Sequence, residues 1–324
     1  MRKLIPLAAF LIFLFPALLF SGSSGVSKIF SVAAVQLEIH QEDYSSATAF
    51  WTAIDSLLEE IFEEGNPDLI VIPEYTGVFY TLIPYNPYLA GDSDLESVVY
   101  RISSELGGAP VPEELFYRQK TQTDEYIRRW SERAWLYSVP IVAGTVFYPH
   151  WEGERQLRNR ALVFDSEGDL FYTQDKVYLT DFELDICNLS PGDPSLAQGF
   201  EIDGQHIYLT ICRDTFFKSW EEVFKKPALL WIDIKANGIE FDELQRQGFQ
   251  KALPSRLPNV PVDYGLTLCL VGDYLNLLWE GESSLIGNHL RLYDSEAGDR
   301  SVVIRHSNTW DSGEILFFDL LERW

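Results

Sequence analysis

Cys212 is the residue whose type and setting point most directly to chemistry. Residues 207–211 read IYLTI, an apolar, β-branched run that predicts a buried strand and delivers a thiol to its end, with Arg213 and Asp214 following. A thiol is intrinsically nucleophilic but mostly protonated near neutral pH, so it needs a base or a positive neighbour. Two other stretches offer them. LIVIPEY (69–75) is an apolar strand running into Glu74 behind Pro73, and LFYTQDKVYL (170–179) is a strand-like run interrupted by Lys176. Each residue alone has an ordinary explanation: a cysteine packed as a small core hydrophobe, a glutamate solvated in a loop, a lysine snorkelling to the surface. Together, a carboxylate, an ammonium and a thiol in such settings make an acyl-transfer set. Desolvation beside residues 71–73 would raise Glu74 toward neutrality, as a base for a thiol requires. A fixed Lys176 cation could stabilise the oxyanion of a tetrahedral intermediate.

Competing chemistries find little support. His206 is the histidine nearest Cys212 in sequence, but six residues along one strand separate them by about 20 Å, too far for a dyad. The five histidines are scattered singly and no CxxC or HExxH spacing occurs, so neither a metal nor another cofactor is expected. GESSL (281–285) approaches a nucleophile elbow, yet Leu285 stands where GxSxG needs its second glycine.

The order Glu74, Lys176, Cys212 resembles the nitrilase, or carbon–nitrogen hydrolase, superfamily. So do the opening strand VAAVQL, the PEY after the second strand, the hairpin RNRALVFDSEGDLFYTQDKVYL, the ICRD around the thiol and the late GESSLIG. The resemblance runs in motif order over about residues 29 to 320. It implies an α/β fold, a four-layer α-β-β-α sandwich, and hydrolysis of a non-peptide carbon–nitrogen bond in a small-molecule amide. Glu74 would be the base, Lys176 the oxyanion cation and Cys212 the nucleophile that forms a thioester. A second glutamate used by many members falls in the acidic cluster Asp181, Glu183, Asp185, where Glu183 is the candidate. Homo-oligomers are implied as well. Arg213 replaces the aromatic residue common after the nucleophile. Nitrile hydrolysis, N-acyl transfer by the same three residues, and a catalytically silent binding module on the same fold are the alternatives.

The elements that must position these residues follow from periodicity. FSVAAVQL reads as a buried strand. Ala47, Phe50, Ile54, Leu57 and Ile61 then recur at helical spacing behind cap candidates at 43–46, and Gly65-Asn66-Pro67 ends the helix. Residues 76–120 are aromatic-rich, with Tyr75, Phe79, Tyr80, Tyr85 and Tyr88 as pocket or core candidates. They contain a helix after the capping box Ser93-x-x-Glu96, and another helix is expected over 123–137. Ser166-Glu167-Gly168 marks one hairpin and Asp203-Gly204 a type I′ hairpin leading into the Cys212 strand. Beyond it come a short helix at 220–224, the strand ALLWIDIKANG, a helix near 242–253 and the final strands. Strand–helix–strand units with one apolar helix face suit a layered α/β domain.

Composition sets outer limits. The 324 residues carry 49 acidic against 25 basic side chains, a net charge of −24, which argues against nucleic acid and anionic membrane surfaces as partners. Cys187, Cys212 and Cys269 make an odd count. If Cys212 stays free, Cys187 with Cys269 is the only disulfide open, and an apolar strand around Cys269 favours plain packing instead.

Residues 1–28 stand apart from the domain expected over 29–324. Arg2-Lys3 leads into seventeen uncharged residues, LIPLAAFLIFLFPALLF, and then SGSSG. That order is a signal peptide's, so export to the periplasm or the outside is expected, with a retained N-terminal membrane anchor as the rival. N-terminal analysis of protein from its own host should find a start between Phe20 and Lys28. A full-length cytosolic product would overturn export, and a full-length membrane-bound one would favour the anchor.

Overall fold

Several strands are apolar on both faces, which places them between two layers rather than at a surface. In the computed structural model, which describes residues 28–88, 94–105, 112–151, 155–292 and 300–321, this is how they are used. The expected leader, up to residue 27, and Ser93 of the expected capping box lie outside the described residues. Asp94 caps the helix Leu95–Glu105 instead, its carboxylate accepting from the Ser97 N–H at 2.8 Å.

In chain order the strands are β1 (Lys28–Gln36), β2 (Glu38–Ile39), β3 (Leu69–Ile72), β4 (Ile141–His150), β5 (Gln156–Phe164), β6 (Leu170–Asp175), β7 (Phe200–Ile202) and β8 (Gln205–Ile211). There follow β9 (Ala228–Lys235), β10 (Val262–Cys269), β11 (Val271–Tyr274), β12 (Leu277–Trp279), β13 (Ser284–Asn288), β14 (Ser301–His306) and β15 (Glu314–Leu321). One six-stranded sheet has the order β15-β1-β3-β4-β5-β6 and a second has β14-β13-β10-β9-β8-β7; β12-β11-β2 form a small third sheet. β1, β3 and β4 run parallel, as do β8, β9 and β10, and the remaining pairings within the two large sheets are antiparallel.

Alternation along each strand assigns the layers. Val32 and Ala34 of β1 and Leu69 and Val71 of β3 face the second sheet, where they meet Leu209, Ile211, Leu230 and Ile232. Ala33, Val35, Ile70 and Ile72 point the other way, onto Phe50, Ile54 and Ile61 of the helix Ala47–Glu64 and Trp130 and Ala134 of the helix Lys120–Tyr137. The outer face of the second sheet packs Tyr208 and Trp231 on Trp220, Phe224, Leu253 and Leu257. This is the four-layer α-β-β-α sandwich. Each apolar side chain so enclosed contributes about 1.5–3 kcal/mol, which is why strands as short as β3 hold their place.

Local signals were realised with small shifts. Ser46 caps the first helix through the Ala49 N–H at 3.0 Å, and its buried face takes in Trp51 and Leu58, with Leu57 only half-buried. Asp203 and Gly204 take φ of 49° and 78°, the two left-handed residues of a type I′ turn. All three cysteines are free thiols. No helix among the described residues is long and apolar enough to cross a membrane.

One irregularity matters for what β3 delivers. The β4–β5 register shifts between Val142 and Thr145, and Gly144 there has φ of +68°. A Cβ on Gly144 would lie 2.4 Å from the Pro73 carbonyl oxygen, next to Glu74. The same bulge brings the Thr145 hydroxyl within 2.9 Å of the Tyr75 N–H. Gly144→Ala should therefore destabilise the fold by about 1–3 kcal/mol through left-handed strain and the backbone clash. A urea melt with an unchanged slope and a lowered midpoint would show it; a midpoint equal to wild type would refute the strained-bulge account.

Candidate active site

Parallel strands bring their carboxyl ends to one edge, where groups mounted just past them can converge. Glu74 follows β3. β6 runs in the direction of β4, because both pair antiparallel with β5, so Lys176 emerges at the same edge. Cys212 follows β8, and Lys235 ends β9 beside it in the second sheet. The Ala236 N–H donates to Glu74 Oε2 at 2.8 Å, which ties the ends of the two sheets together.

Glu74, Lys176 and Glu183 meet with essentially no solvent exposure. Lys176 Nζ donates to Glu74 Oε1 at 2.8 Å and lies 2.9 Å from Glu183 Oε2. Asn159 Nδ2 bridges the carboxylates, at 2.8 Å to Glu74 and 2.7 Å to Glu183. Glu183 also accepts from the Tyr75 hydroxyl at 3.0 Å and from the Thr180 N–H and hydroxyl at 2.8 and 3.0 Å. Of the acidic cluster 181–185, only Glu183 turns inward; Asp181 and Asp185 remain exposed.

One buried lysine cannot neutralise two carboxylates, so the pair must divide the charge unequally. Burial lifts Glu74 above the ordinary carboxylate range, and Glu183's charge adds to that, despite the pull of Lys176. Burial also works against Glu183, but Lys176, the Thr180 N–H and Asn159 outweigh it and hold this carboxyl below its usual value. Burial would strip the proton from Lys176; Glu74 and Glu183 reverse that and keep it a cation. Glu183 thus sits in the environment that favours the anion, and Glu74 in the one that disfavours it.

Cys212 sits at the start of a short 3-10 turn, Cys212–Phe216, with φ of +53°. A non-glycine residue there stores about 1–2 kcal/mol of strain, which its surroundings must over-determine. Two buried groups do so. The Asp214 carboxylate accepts from the Ile211 N–H at 3.1 Å and from the Val177 and Tyr178 N–H groups at 3.1 and 2.8 Å, joining the thiol's turn to the segment carrying Lys176. Lys235 Nζ donates to the Cys212 carbonyl at 2.8 Å and lies 2.6 Å from Asp233, which also accepts from Thr215 at 2.7 Å. Arg213 turns outward and donates to the Leu179 carbonyl at 2.7 Å, a third tie between these segments. Cys212 alone of the three thiols keeps partial solvent access. The dense protein around it and the Glu74 charge push its thiol up to about 12, against Lys176 and Lys235. The resting group is therefore a protonated thiol that must lose its proton as it attacks.

Sequence reasoning placed Glu74, Lys176, Cys212 and Glu183 here and missed Asn159, Asp214, Asp233 and Lys235. A signal existed for the last two, since WIDIK sets an aspartate and a lysine inside a strand otherwise apolar throughout. Asp233 and Lys235 are both fully enclosed, so removing one leaves the other an unpaired buried charge. Lys235→Met should destabilise by about 3–5 kcal/mol, and adding Asp233→Asn should recover part of that loss. Denaturant melts of the single and double variants read the coupling; strict additivity would show that the pair does not act as a unit.

Comparisons with known proteins bear on the fold and the family. Residues 31–219, more than half the chain, match the carbon–nitrogen hydrolase family model. Among solved structures, the amidase from Nesterenkonia sp. superposes with a TM-score of 0.62 at 19% identity, over 92% of this chain and 94% of that one. One structure of a mutant of that amidase carries the acetamide moiety of fluoroacetamide covalently added at the active-site cysteine. Saccharomyces cerevisiae Nit3, a member of the nitrilase superfamily, superposes with a TM-score of 0.57 at 17% identity over 91% of each chain. No curated protein gives a significant sequence match. With the sandwich, the carboxylate–lysine cluster and the strand-end thiol in place, the chain belongs to the carbon–nitrogen hydrolase family of the nitrilase superfamily.

Proposed function

We propose that the protein hydrolyses a non-peptide amide through a thioester on Cys212. The observation that carries this reading is the buried cluster in which Lys176 lies 2.8 Å from Glu74 and 2.9 Å from Glu183, with Glu74 raised and Glu183 lowered from the ordinary carboxylate range. Divided environments of this kind assign acid–base roles. Glu74 takes the Cys212 proton as sulfur attacks the carbonyl carbon, and a sulfur–carbon bond forms while the carbonyl oxygen gains the charge. Lys176, with the backbone N–H after Cys212, stabilises that oxyanion. Collapse breaks the carbon–nitrogen bond, and Glu74 gives its proton to the departing amine. Water then adds to the thioester with Glu74 as base, the sulfur–carbon bond breaks, and the thiol recovers its proton as the carboxylic acid leaves. Glu183 holds Lys176 charged and in place throughout.

The covalent adduct in the amidase of the same fold supports a thiol nucleophile. The leader's composition supports an exported enzyme, so the substrate would be met outside the cytoplasm.

The roles of Glu74 and Lys176 separate experimentally. Glu74→Gln keeps the shape and removes proton acceptance, so a thioester formed from an activated ester should hydrolyse slowly and accumulate. Lys176→Met removes the cation, and adduct formation itself should suffer by about 3–4 kcal/mol of barrier. Mass spectrometry should find the adduct on Cys212 for the first variant and little for the second, with Cys212→Ala showing none. The reverse pattern for the two variants would sink these assignments.

A further inference from the structure

A cavity of about 560 Å³ opens beside the site, within the range of about 300–1,000 Å³ typical for drug-sized ligands. Two of its features tie it to the chemistry. Tyr75 lines it, while the hydroxyl of the same side chain bonds Glu183 at 3.0 Å and its ring centroid lies 5.9 Å from Lys176 Nζ. The turn Phe182–Ile186 sends Glu183 into the carboxylate cluster and Phe182 and Ile186 to the cavity. Tyr75 and the Glu183 turn are thus shared between the cavity wall and the carboxylate cluster.

The walls state what fits. Phe79, Phe116, Phe147, Trp279 and Leu277 supply them, and among the described residues no lysine, arginine or histidine lines the cavity. Asp185 is the one charged lining residue among those described, and it is exposed. A substrate with a carboxylate at its far end would meet no lining cation and a repelling carboxyl, while an uncharged hydrocarbon or aryl group would be desolvated against these walls.

Which half of the amide enters follows from the order of bond breaking. The acyl group stays on sulfur through both half-reactions, whereas the amine must leave and water must take its place. An apolar cavity suits the part that stays and is a poor passage for ammonia or water. Resting on the amidase reading above, we infer that the cavity is an acyl pocket and that the substrates are amides of uncharged, bulky apolar acids, aryl or medium-chain alkyl.

The test uses two amide series on the full-length protein, one lengthened on the acyl side and one on nitrogen. Each added acyl methylene should raise kcat/KM by about four-fold until the cavity is full, lengthening on nitrogen should leave it nearly flat, and a terminal carboxylate on the acyl chain should abolish the gain. Leu277 is only half-buried, so its size can be changed both ways: Leu277→Trp should shorten the optimal chain and Leu277→Ala should extend it. Calorimetric binding of the acyl series to Cys212→Ala reads the pocket without turnover. Affinity rising with acyl length there upholds the acyl pocket even if no amide is cleaved, an outcome that would refute the amidase reading alone. Turnover or binding indifferent to acyl length, improved by a terminal carboxylate, or improved by length on nitrogen overturns the inference.

Discussion

The structure depends on one electrostatic imbalance, a single buried ammonium between two buried carboxylates. Three such charges placed in an apolar interior would be strongly unfavourable if each stood alone. Here the two carboxylates share Asn159 as well as Lys176, and the surplus negative charge is relieved by lifting Glu74 rather than by admitting solvent. The donors around Glu183 do the opposite, so hydrogen bonding shifts two identical side chains in opposite directions.

The second sheet contributes a separate device. Cys212 is held in a left-handed conformation that its own side chain disfavours, and Asp214 and the Lys235–Asp233 pair hold it there from opposite sides. Asp214 also receives the Val177 and Tyr178 N–H groups, so the nucleophile's turn and the lysine's segment cannot drift apart independently. Preorganisation of this kind fixes where charge will develop before any substrate arrives. Lys235 adds a second cation near the sulfur, and cation–π contacts with Phe216 and Phe249 at 5.2 and 5.5 Å keep its charge shielded from water.

The apolar cavity and the charged cluster share a wall at Tyr75. Its backbone takes φ of +69°, which swings the ring away from the β3 axis, and the Thr145 hydroxyl on its N–H fixes that turn. Tyr75 thus touches the carboxylate cluster, and the helix Thr76–Tyr80 that follows supplies Val78 and Phe79 to the cavity.

Local patterns along the chain specify the layers and point to the candidate site residues. Two-faced apolar strands, helices with one apolar stripe, and the turns at 166–168 and 203–204 are local patterns whose burial or φ requirements admit few solutions. Glu74, Lys176 and Cys212 were legible because a charged or reactive residue at the end of an apolar run is expensive unless it has a purpose. Even Glu183 could be chosen from its cluster only with help from the resemblance. Tertiary structure alone decided the rest. Asn159 looks in sequence like any polar residue of a hairpin strand, and it matters only because the β5–β6 register sets it between two carboxylates from distant segments. Asp214 reads as part of a motif, but its role is to accept N–H groups from residues 36 and 37 positions away. The cavity is drawn from four separate stretches of chain, 75–82, 115–116, 147 and 182–187, closed by 276–279 from the small third sheet. Such juxtapositions leave no periodic trace, because they arise from which strand ends converge and not from the spacing of residues within any one element.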